Sequence, residues 1–255
     1  MNNSPLVTIV TPSFNQGRVI EKTIKSVLNQ TYKNIEYIIV DGGSNDNTMN
    51  IINSIGNIDI IINEKDTGQT NAINKGFKLA KGELVGWINS DDMLYPECVE
   101  KIVELYIEKP DGAIYYNCNI DNINENDEKI NSYKRIVPNR KYLLKSKYDI
   151  IQPGSFYKKN IIERVNYLNE ELNYCMDLDL WLRLSDLASI YYLDIPSTSA
   201  FRKWNQSKTS RNIFEFIVEI RKVLIKNGAS NLSYSVLQTY YYSFQIFLKK
   251  FINKK

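Results

Sequence analysis

Short apolar runs alternate with stretches of helical periodicity over the first third of the chain. The apolar runs predict strands at residues 6–11, 35–40, 58–62 and 84–88. Between them, apolar residues recur at helical spacing and predict helices near residues 17–29, 46–55 and 68–80. Pro12 is expected to end the first strand, and Gly82 to lie near the C-cap of the third helix. Strands that alternate with such helices indicate βαβ units, so we predict an α/β fold with a mainly parallel sheet flanked by helices.

The second half of the chain has a less regular pattern. It predicts strands at residues 113–117, 150–157, 190–193 and 198–203, and a helix at 177–187. The polar, Asn-rich segment 121–134 is expected to be a loop or an exposed hairpin. Two amphipathic helical patterns follow residue 210, so we predict a domain over residues 1–210 and a C-terminal amphipathic helical extension over 211–255.

The C-terminal extension has two interpretations. Its apolar, aromatic faces could pack on the domain or on a second subunit, giving a homodimer. Alternatively, an aromatic face next to a lysine-rich end could lie on an anionic membrane surface. The lysines of that end are Lys249, Lys250, Lys254 and Lys255.

Polar side chains follow the predicted strands where each strand ends. In a parallel sheet the loops 12–15, 41–43, 64–66 and 89–92 open on one edge, where ligands collect. The segment Asn89-Ser90-Asp91-Asp92 is the most informative, because adjacent carboxylates suit a hard divalent cation that also holds a phosphate. The alternative is that Asp91 and Asp92 form only a solvated turn and a helix cap.

The amino-acid composition limits the kinds of catalysis and metal binding that are possible. The 255 residues are 43% hydrophobic and 24% charged, which is typical of a soluble globular protein, and they include no histidine. Histidine-based triads, bases and metal ligands are therefore excluded, so acid–base work near neutral pH falls to Asp, Glu, Lys, Tyr or Cys, and an oxygen-rich metal site would favour Mg²⁺ or Mn²⁺. A net charge of +3 gives no reason to expect nucleic acid as a partner. Three unclustered cysteines, no signal peptide and no apolar run of about 18–20 residues indicate a cytoplasmic protein.

Six motifs, taken in order, resemble those of family 2 glycosyltransferases, over roughly residues 6–210. They are Thr11-Pro12-Ser13-Phe14-Asn15-Gln16, Val40-Asp41-Gly42-Gly43-Ser44, Asp66-Thr67-Gly68-Gln69, Asn74-Lys75-Gly76, Asn89-Ser90-Asp91-Asp92 and Met176-Asp177-Leu178-Asp179-Leu180-Trp181-Leu182-Arg183. The resemblance implies a Rossmann-like GT-A fold, a nucleotide-sugar donor, a divalent metal, Mn²⁺ or Mg²⁺, and inversion at the anomeric carbon.

The resemblance also implies roles for individual residues. It makes Asp92 the metal ligand and Asp177 the catalytic base, with Asp179 as the fallback base and Arg183 as a structural partner. The plainer alternatives are a turn residue for Asp41 and a helix N-terminal acid for Asp177. Gln152 and Trp181 are assigned to the acceptor side. The donor-binding residues implied are Thr11, Pro12, Ser13, Asn15, Asp41, Gly68, Gln69, Asn71, Asp91, Arg202 and Lys203.

The chain departs from the family pattern at four positions. Trp204 stands where relatives carry a histidine that can touch the metal or the diphosphate, and tryptophan cannot ligate a metal. Ile73 replaces a basic residue, Met176 replaces a glutamate, and Asn89 replaces an aspartate that is common in relatives. Lys208, in the segment that resembles the family's diphosphate loop, still offers charge to phosphate together with Arg202 and Lys203.

These observations predict an inverting, metal-dependent glycosyltransferase that moves one sugar from a nucleotide-diphosphate-sugar donor to a hydroxyl. The acceptor would be a sugar, a glycan or a lipid-linked molecule in cell-surface polysaccharide or glycolipid assembly, at the inner face of the membrane if the enzyme is peripheral. The alternatives are a decayed, non-catalytic sugar-nucleotide-binding module and a sugar nucleotidyltransferase. Pro12-Ser13-Phe14-Asn15 counts against the latter, which needs a Gly-rich loop with arginine. Donor sugar, base, acceptor and oligomeric state stay open.

Overall fold

The structure is a computed structural model that describes residues 4–145, 148, 150–204 and 212–252, with side chains described up to residue 248. Its strands are β1 (Val7–Ser13), β2 (Ile35–Asp41), β3 (Ile60–Asn63), β4 (Leu84–Trp87), β5 (Met93–Leu94), β6 (Gly112–Asn117), β7 (Asn119–Ile123), β8 (Lys129–Lys134), β9 (Phe156–Lys158), β10 (Ser189–Leu193) and β11 (Ser199–Arg202). Its helices are α1 (Ile20–Leu28), α2 (Thr48–Ser54), α3 (Gln69–Leu79), α4 (Cys98–Glu108), α5 (Arg140–Lys145), α6 (Lys159–Arg164), α7 (Met176–Leu184), α8 (Ile213–Lys226) and α9 (Tyr234–Ile252).

A seven-stranded sheet forms the centre of the fold, in the order β10-β6-β9-β4-β1-β2-β3. Within this order β9 runs antiparallel to both of its neighbours, and the other pairs are parallel. The predicted α/β class with a mainly parallel sheet is therefore confirmed. A second sheet, in the order β5-β11-β7-β8, follows the carboxyl end of β4 in the chain.

Along each strand of the large sheet, successive side chains point to opposite faces, and apolar side chains on both faces pack against the flanking helices. In β1, Val7 and Ile9 pack in a cluster with Ile20 and Ile24 of α1, on one face. Val10 packs in the opposite cluster, which includes Phe77 of α3 and residues of α7. Burial on both faces explains why the strands read as continuous apolar runs in the sequence.

The predicted end of the first strand is wrong. The strand does not end at Pro12 but continues to Ser13, because pairing with β4 stops at Val10 while pairing with β2 continues. Val10 accepts a hydrogen bond from Ile88 on the β4 side, and Ser13 accepts one from Gly42 on the β2 side. By alternation Pro12 faces the β4 side, where no strand needs the N–H it lacks.

Gly82 does not cap α3. The helix ends at a C-cap residue, Ala80, with φ −55° and ψ 136°. Gly82 instead lies against β1, where an added Cβ would be 2.5 Å from the backbone nitrogen of Thr8. The glycine is required by this close approach of two backbones, which the sequence pattern does not reveal.

Segment 121–134 forms most of a hairpin of β7 and β8, one of the two predicted alternatives, but only β8 is exposed and β7 is buried. The predicted strand at 150–157 is wrong over 150–155, where Gly154 has φ +80° and the chain turns; β9 begins only at Phe156.

At the C-terminus, α8 packs on α7, and α9 packs on α8 and α5. Among the described residues, no helix combines the length and apolarity needed to cross a bilayer.

Substituting Gly76 by alanine should destabilise the protein. Gly76 lies inside α3, and an added Cβ would overlap the methyl groups of buried Val10, approaching Cγ2 to 2.8 Å. Overpacking costs about 1–3 kcal/mol, and so close an approach to Val10 favours the upper half of that range, which outweighs the gain of about 1 kcal/mol in helix propensity. We expect urea unfolding to show a net loss of roughly 1–2 kcal/mol. Gly56→Ala is the matched control, since its Cβ meets nothing within 4 Å; equal stability of the two variants would contradict this packing.

Candidate active site

The candidate site lies at the carboxyl ends of β1, β2 and β4. Ser13 and Asp41, the last residues of β1 and β2, are register partners. The segment Asn89–Asp92 follows β4, which pairs with the other side of β1. The parallel sheet thus brings the predicted loops to one edge, as the βαβ pattern required.

Asp41 organises the turn after β2. Its Oδ1 accepts hydrogen bonds from the backbone N–H groups of Gly43 (3.1 Å) and Ser44 (2.7 Å), and its Oδ2 accepts from the Ser44 hydroxyl (2.7 Å). Asn15, with φ +54°, donates its N–H to Ser44 Oγ and accepts from the N–H of Asn45. The loops after β1 and β2 are therefore one hydrogen-bonded unit. In this geometry the turn role of Asp41 is satisfied, and a ligand contact would be additional.

The hydroxyls at the end of β1 differ in their environment. Thr11 is fully buried and shares a hydrogen bond of 3.0 Å with the Tyr37 hydroxyl. Ser13 is 4% exposed, and its Oγ has no hydrogen-bond partner among the described residues. Buried hydroxyls are normally satisfied, so Ser13 is the better of the two for contact with a ligand.

Asp91 and Asp92 lie side by side with little access to solvent around their carboxylates. Asp92 is fully buried; its Oδ1 accepts from the Arg202 N–H (2.9 Å) and its Oδ2 from Asn89 Nδ2 (3.1 Å). Asp91 Oδ2 accepts from Trp204 Nε1 at 3.2 Å. Burial raises the pKa of both carboxyls, and the neighbouring charge of Asp91 raises the pKa of Asp92 further. Trp204, at the family's histidine position, thus contacts the acidic pair through a hydrogen bond.

Arg202 is the buried cation beside this pair, at 1% exposure. Its Nε donates to the backbone oxygen of Asp91 (2.8 Å), and its Nη1 donates to that of Asn124 (2.7 Å) and lies 2.6 Å from Asp127 Oδ1. Nη2 is buried without a hydrogen-bond partner among the described residues. Asp127 also binds Lys22 of α1 at 2.5 Å, so the β7–β8 turn covers Arg202.

A chain of side-chain amides supports the acidic pair. Gln69, the first residue of α3, donates to Asn89 Oδ1 at 2.8 Å. The Asn89 amide donates to Gln152 Oε1 at 3.1 Å, and Gln152 in turn donates to the backbone oxygen of Trp87. Gly68, the N-cap of α3, has φ +136° and donates its N–H to Asp66 Oδ1. The predicted residues Gln69 and Gln152 therefore both reach the segment after β4.

Asp177 lies in the first turn of α7 and is 8% exposed. Its Oδ2 accepts from the Tyr148 hydroxyl at 2.6 Å, and its Oδ1 from the Leu178 N–H at 2.8 Å. Burial raises its pKa to about 6, while the Tyr148 bond lowers it and the charge of Glu219 raises it. A carboxylate with a pKa near the working pH is well suited to general base catalysis.

Several residues that the family motifs singled out have surroundings or partners other than those the motifs imply. Trp181 was assigned to the acceptor side, but its ring is fully buried, donates to Tyr157 (3.1 Å) and meets Tyr116 edge-on at 5.0 Å, so it belongs to the core. Asn71 was assigned to the donor, but its amide donates to Glu170 at 2.9 Å. Ile73 is fully buried in the core, which accounts for the loss of a basic residue there.

Asp179, the fallback base, does not share the environment of Asp177. It bonds Arg183 at 2.7 Å and Asn227 at 3.3 Å, and Arg183 also donates to the backbone oxygens of Val165 and Tyr167. Arg183 is thus a structural partner, as predicted. Lys203 is exposed beside Arg202. Lys208 lies outside the described residues.

The sequence pattern did not identify Tyr148, the β7–β8 turn or Glu219. Glu219 of α8 accepts the N–H groups of Tyr174 (2.6 Å) and Cys175 (2.7 Å), which fixes the start of α7 and so the position of Asp177. A carboxylate at helical spacing in an amphipathic segment gives no signal of this role.

The oxygen donors present fit a divalent cation. Asp92 is buried and Asp91 is half-buried beside it, so a cation would relieve the repulsion between the two carboxylates; each Asp92 oxygen accepts one hydrogen bond from the protein, so lone pairs remain. The described residues contain no group of three or more acidic, cysteine or histidine side chains placed to hold a metal. The donor set therefore suits an ion that takes one or two carboxylates and completes its shell with substrate phosphates and water, as Mg²⁺ does.

The fold and the site together define an α/β protein with an oxygen-rich ligand site at the carboxyl edge of its sheet, and comparison with known proteins gives the family. The profile of Glycosyl transferase family 2 matches residues 8–165. The chain belongs to this family. It is 31% identical over 204 residues to the uncharacterized glycosyltransferase RT0329 of Rickettsia typhi, covering 74% of this chain and 61% of that protein. The chain thus spans about three fifths of that curated relative.

Solved structures resemble the fold. S. aureus TarS 1-349 in complex with UDP-GlcNAc superposes with a TM-score of 0.69 at 16% identity, over 92% of this chain and 69% of that one. The mannosyltransferase PcManGT from Pyrobaculum calidifontis, in complex with GDP-Man and Mn²⁺, superposes with a TM-score of 0.66 at 15% identity, over 95% of this chain and 70% of that one. At these identities the likeness establishes the GT-A fold, which confirms the fold predicted from the motifs.

Proposed function

We propose that this glycosyltransferase moves one sugar, with inversion, from a nucleotide-diphosphate sugar to an acceptor hydroxyl, and that it depends on Mn²⁺ or Mg²⁺. The observation that carries the proposal is the pair of half-buried Asp91 and buried Asp92 at the end of β4, held by Asn89, Arg202 and Trp204. Its support is that structures of the same fold are named as complexes with UDP, UDP-GlcNAc, or GDP-Man with Mn²⁺.

In this proposal the donor lies across the edge formed by β1, β2 and β4. Ser13, Asn15 and Asp41 bind the nucleoside, with Thr11 and Pro12 shaping the strand end beneath it. Asp91 binds the ribose or the sugar, and Asp92 holds the metal. When bound, the metal stabilises the negative charge that develops on the leaving diphosphate. Arg202, whose Nη2 has no hydrogen-bond partner within the part of the chain that the structure describes, and exposed Lys203 add positive charge there. Gly68 and Gln69 complete the donor side at the start of α3.

Asp177 is the proposed base. Inversion requires one group to take the proton of the acceptor hydroxyl while its oxygen attacks opposite the leaving group. Tyr148 holds the Asp177 carboxylate through the 2.6 Å bond and favours its charged form. Gln152 lies on the acceptor side, next to Asn89. The acceptor is a sugar, a glycan or a lipid-linked molecule, and we place the reaction in cell-surface polysaccharide or glycolipid assembly.

We further propose that residues 1–210 form the catalytic unit and 211–255 an extension of it. The contact of α8 with α7 gives the extension a structural role, since Glu219 fixes the start of α7. Two truncated chains, one ending before residue 211 and one ending at residue 233, would test this division into a catalytic unit and an extension. We expect the longer chain to keep the thermal stability that the shorter one loses.

The rate of sugar transfer should rise with pH through about 6, the raised pKa of Asp177. Only the carboxylate accepts a proton, and below this pH the buried group is protonated and inactive. The Tyr148→Phe variant loses the bond that favours the carboxylate, so its midpoint should move upward by about one pH unit. Initial rates at saturating donor and constant ionic strength measure both midpoints. A rate that stays constant from pH 5 to 7, or an unchanged midpoint in Tyr148→Phe, would argue against this base.

Release of nucleoside diphosphate from a panel of donor sugars, with and without Mn²⁺, tests the proposed activity. Slow metal-dependent hydrolysis of one donor, accelerated by an acceptor, is the expected result. The decayed-module alternative, which Trp204 at the histidine position favours, predicts nucleotide binding without any turnover. Release of pyrophosphate from a nucleoside triphosphate and a sugar phosphate would instead identify a nucleotidyltransferase.

A further inference from the structure

The last helix, α9, presents large apolar side chains outward. The outer face of α9 consists of Leu237, Tyr240, Tyr241, Phe244 and Leu248, which are 41–58% exposed. Their spacing of three or four residues places them on one stripe of the helix. A stripe of this kind is normally the one a helix buries, so its exposure is unusual for the surface of a globular protein.

The inner side of α9 is made of small residues. Ser235, Val236 and Thr239 are 6% exposed or less. Ser235 donates to the backbone oxygen of Leu144 at 2.6 Å, and Thr239 donates to that of Val236 at 2.7 Å. The small side is therefore the one packed against the protein, and on the outer side only the Tyr240 ring has a cation over it, Arg221 at 4.1 Å from the ring centroid, among the contacts that the structure describes.

The distribution of charged residues along the chain indicates which kind of partner this face would bind. After Glu219 the chain contains no acidic residue and seven basic ones, which are Arg221, Lys222, Lys226, Lys249, Lys250, Lys254 and Lys255. The preceding 219 residues hold the other 25 basic and all 29 acidic residues, a net charge of −4, so the net positive charge of the chain comes from this end. A basic, aromatic helix of 19 residues, about 28 Å long, is suited to the interface of an anionic bilayer.

We propose that the outer face of α9 binds the surface of an anionic lipid bilayer, with the helix lying along the interface. A second copy of the chain is a poorer occupant, since a symmetric contact would bring together two segments that each carry seven cations and no acid.

Vesicle sedimentation of the full chain tests the proposal. We expect binding to phosphatidylcholine vesicles that contain phosphatidylglycerol, much weaker binding to phosphatidylcholine alone, and release at high salt. The double variant Leu237→Ser/Phe244→Ser should bind about 100-fold more weakly, because burial of each lost side chain in the interface contributes about tenfold to the affinity. Both residues are about half exposed, so the variant should keep the circular dichroism spectrum, melting temperature and nucleotide binding of the parent.

The matched control is Ile107→Ser/Ile130→Ser, which removes two equally exposed apolar side chains from α4 and β8. It should bind vesicles like the parent. The proposal is overturned if the parent does not bind the anionic vesicles, or if both double variants lose binding equally. Two other results would also overturn it. One is a parent that does not bind vesicles and forms, in sedimentation velocity, a dimer that only Leu237→Ser/Phe244→Ser disrupts. The other is a face that binds single-stranded RNA and not vesicles.

Discussion

Replacement of Asp177 by asparagine should reduce sugar transfer by about 10²- to 10⁴-fold, the usual contribution of a general base. The amide keeps the shape of the side chain and can still accept from the Leu178 N–H or from Tyr148, so the start of α7 should survive. Donor affinity should be unchanged, because the proposed donor contacts lie at the ends of β1, β2 and β4. Single-turnover rates and calorimetric donor affinity, measured on the same preparation, separate the two effects.

Asp179→Asn is the matched control for this experiment. It makes the same chemical change two residues further along α7, where the carboxylate binds Arg183 and Asn227. We expect lower stability with transfer retained at temperatures where the protein is folded. If Asp177→Asn transfers sugar like the wild type, Asp177 is not the base. If only Asp179→Asn loses transfer, the role belongs to Asp179.

Replacement of Asp92 by asparagine should weaken Mn²⁺-dependent nucleotide binding by at least tenfold, since even indirect partners of a metal cost 10–100-fold when changed. Both Asp92 oxygens accept hydrogen bonds, one from Arg202 and one from Asn89. An amide therefore places its NH₂ group against a donor in either orientation, which we expect to cost about 1–3 kcal/mol of stability.

A stability-matched control separates these effects. Gly76→Ala is expected to lose a similar amount of stability through contact with Val10, and it does not alter the proposed ligand set. Titrations below the melting temperature of both variants should show metal-dependent binding in Gly76→Ala and its loss in Asp92→Asn. Equal nucleotide affinity with and without Mn²⁺ in Asp92→Asn and in the wild type would refute the metal-binding role of Asp92.

The sequence predicted the parts of the fold that local pattern controls. The runs that became β1, β2 and β4 are buried on both faces, so apolar content alone marked them, and the parallel topology then required Asp41 and Asp92 to share an edge. The hairpin of β7 and β8 was one of two open alternatives, because polar strands at the surface resemble loops in composition. Gly82 was misassigned because a glycine that accommodates a neighbouring strand looks like one that caps a helix.

Contacts between distant segments could not be predicted. Arg202 meets Asp92 across 110 positions, and Tyr148 meets Asp177 from a segment without periodicity. Trp181 matched the family motif, but only the packing of α7 shows that its ring belongs to the core. Motif likeness assigns a residue type to a position, whereas burial and partners decide what the side chain can contact.

Calorimetric titration of UDP, GDP, dTDP and CDP, each with and without Mn²⁺, tests the central claim most directly. We expect tight binding of one nucleotide that requires the metal and is lost in Asp92→Asn. This result would also identify the base of the donor. Absence of binding by all four nucleotides in the presence of Mn²⁺ would contradict a donor site at the ends of β1, β2 and β4.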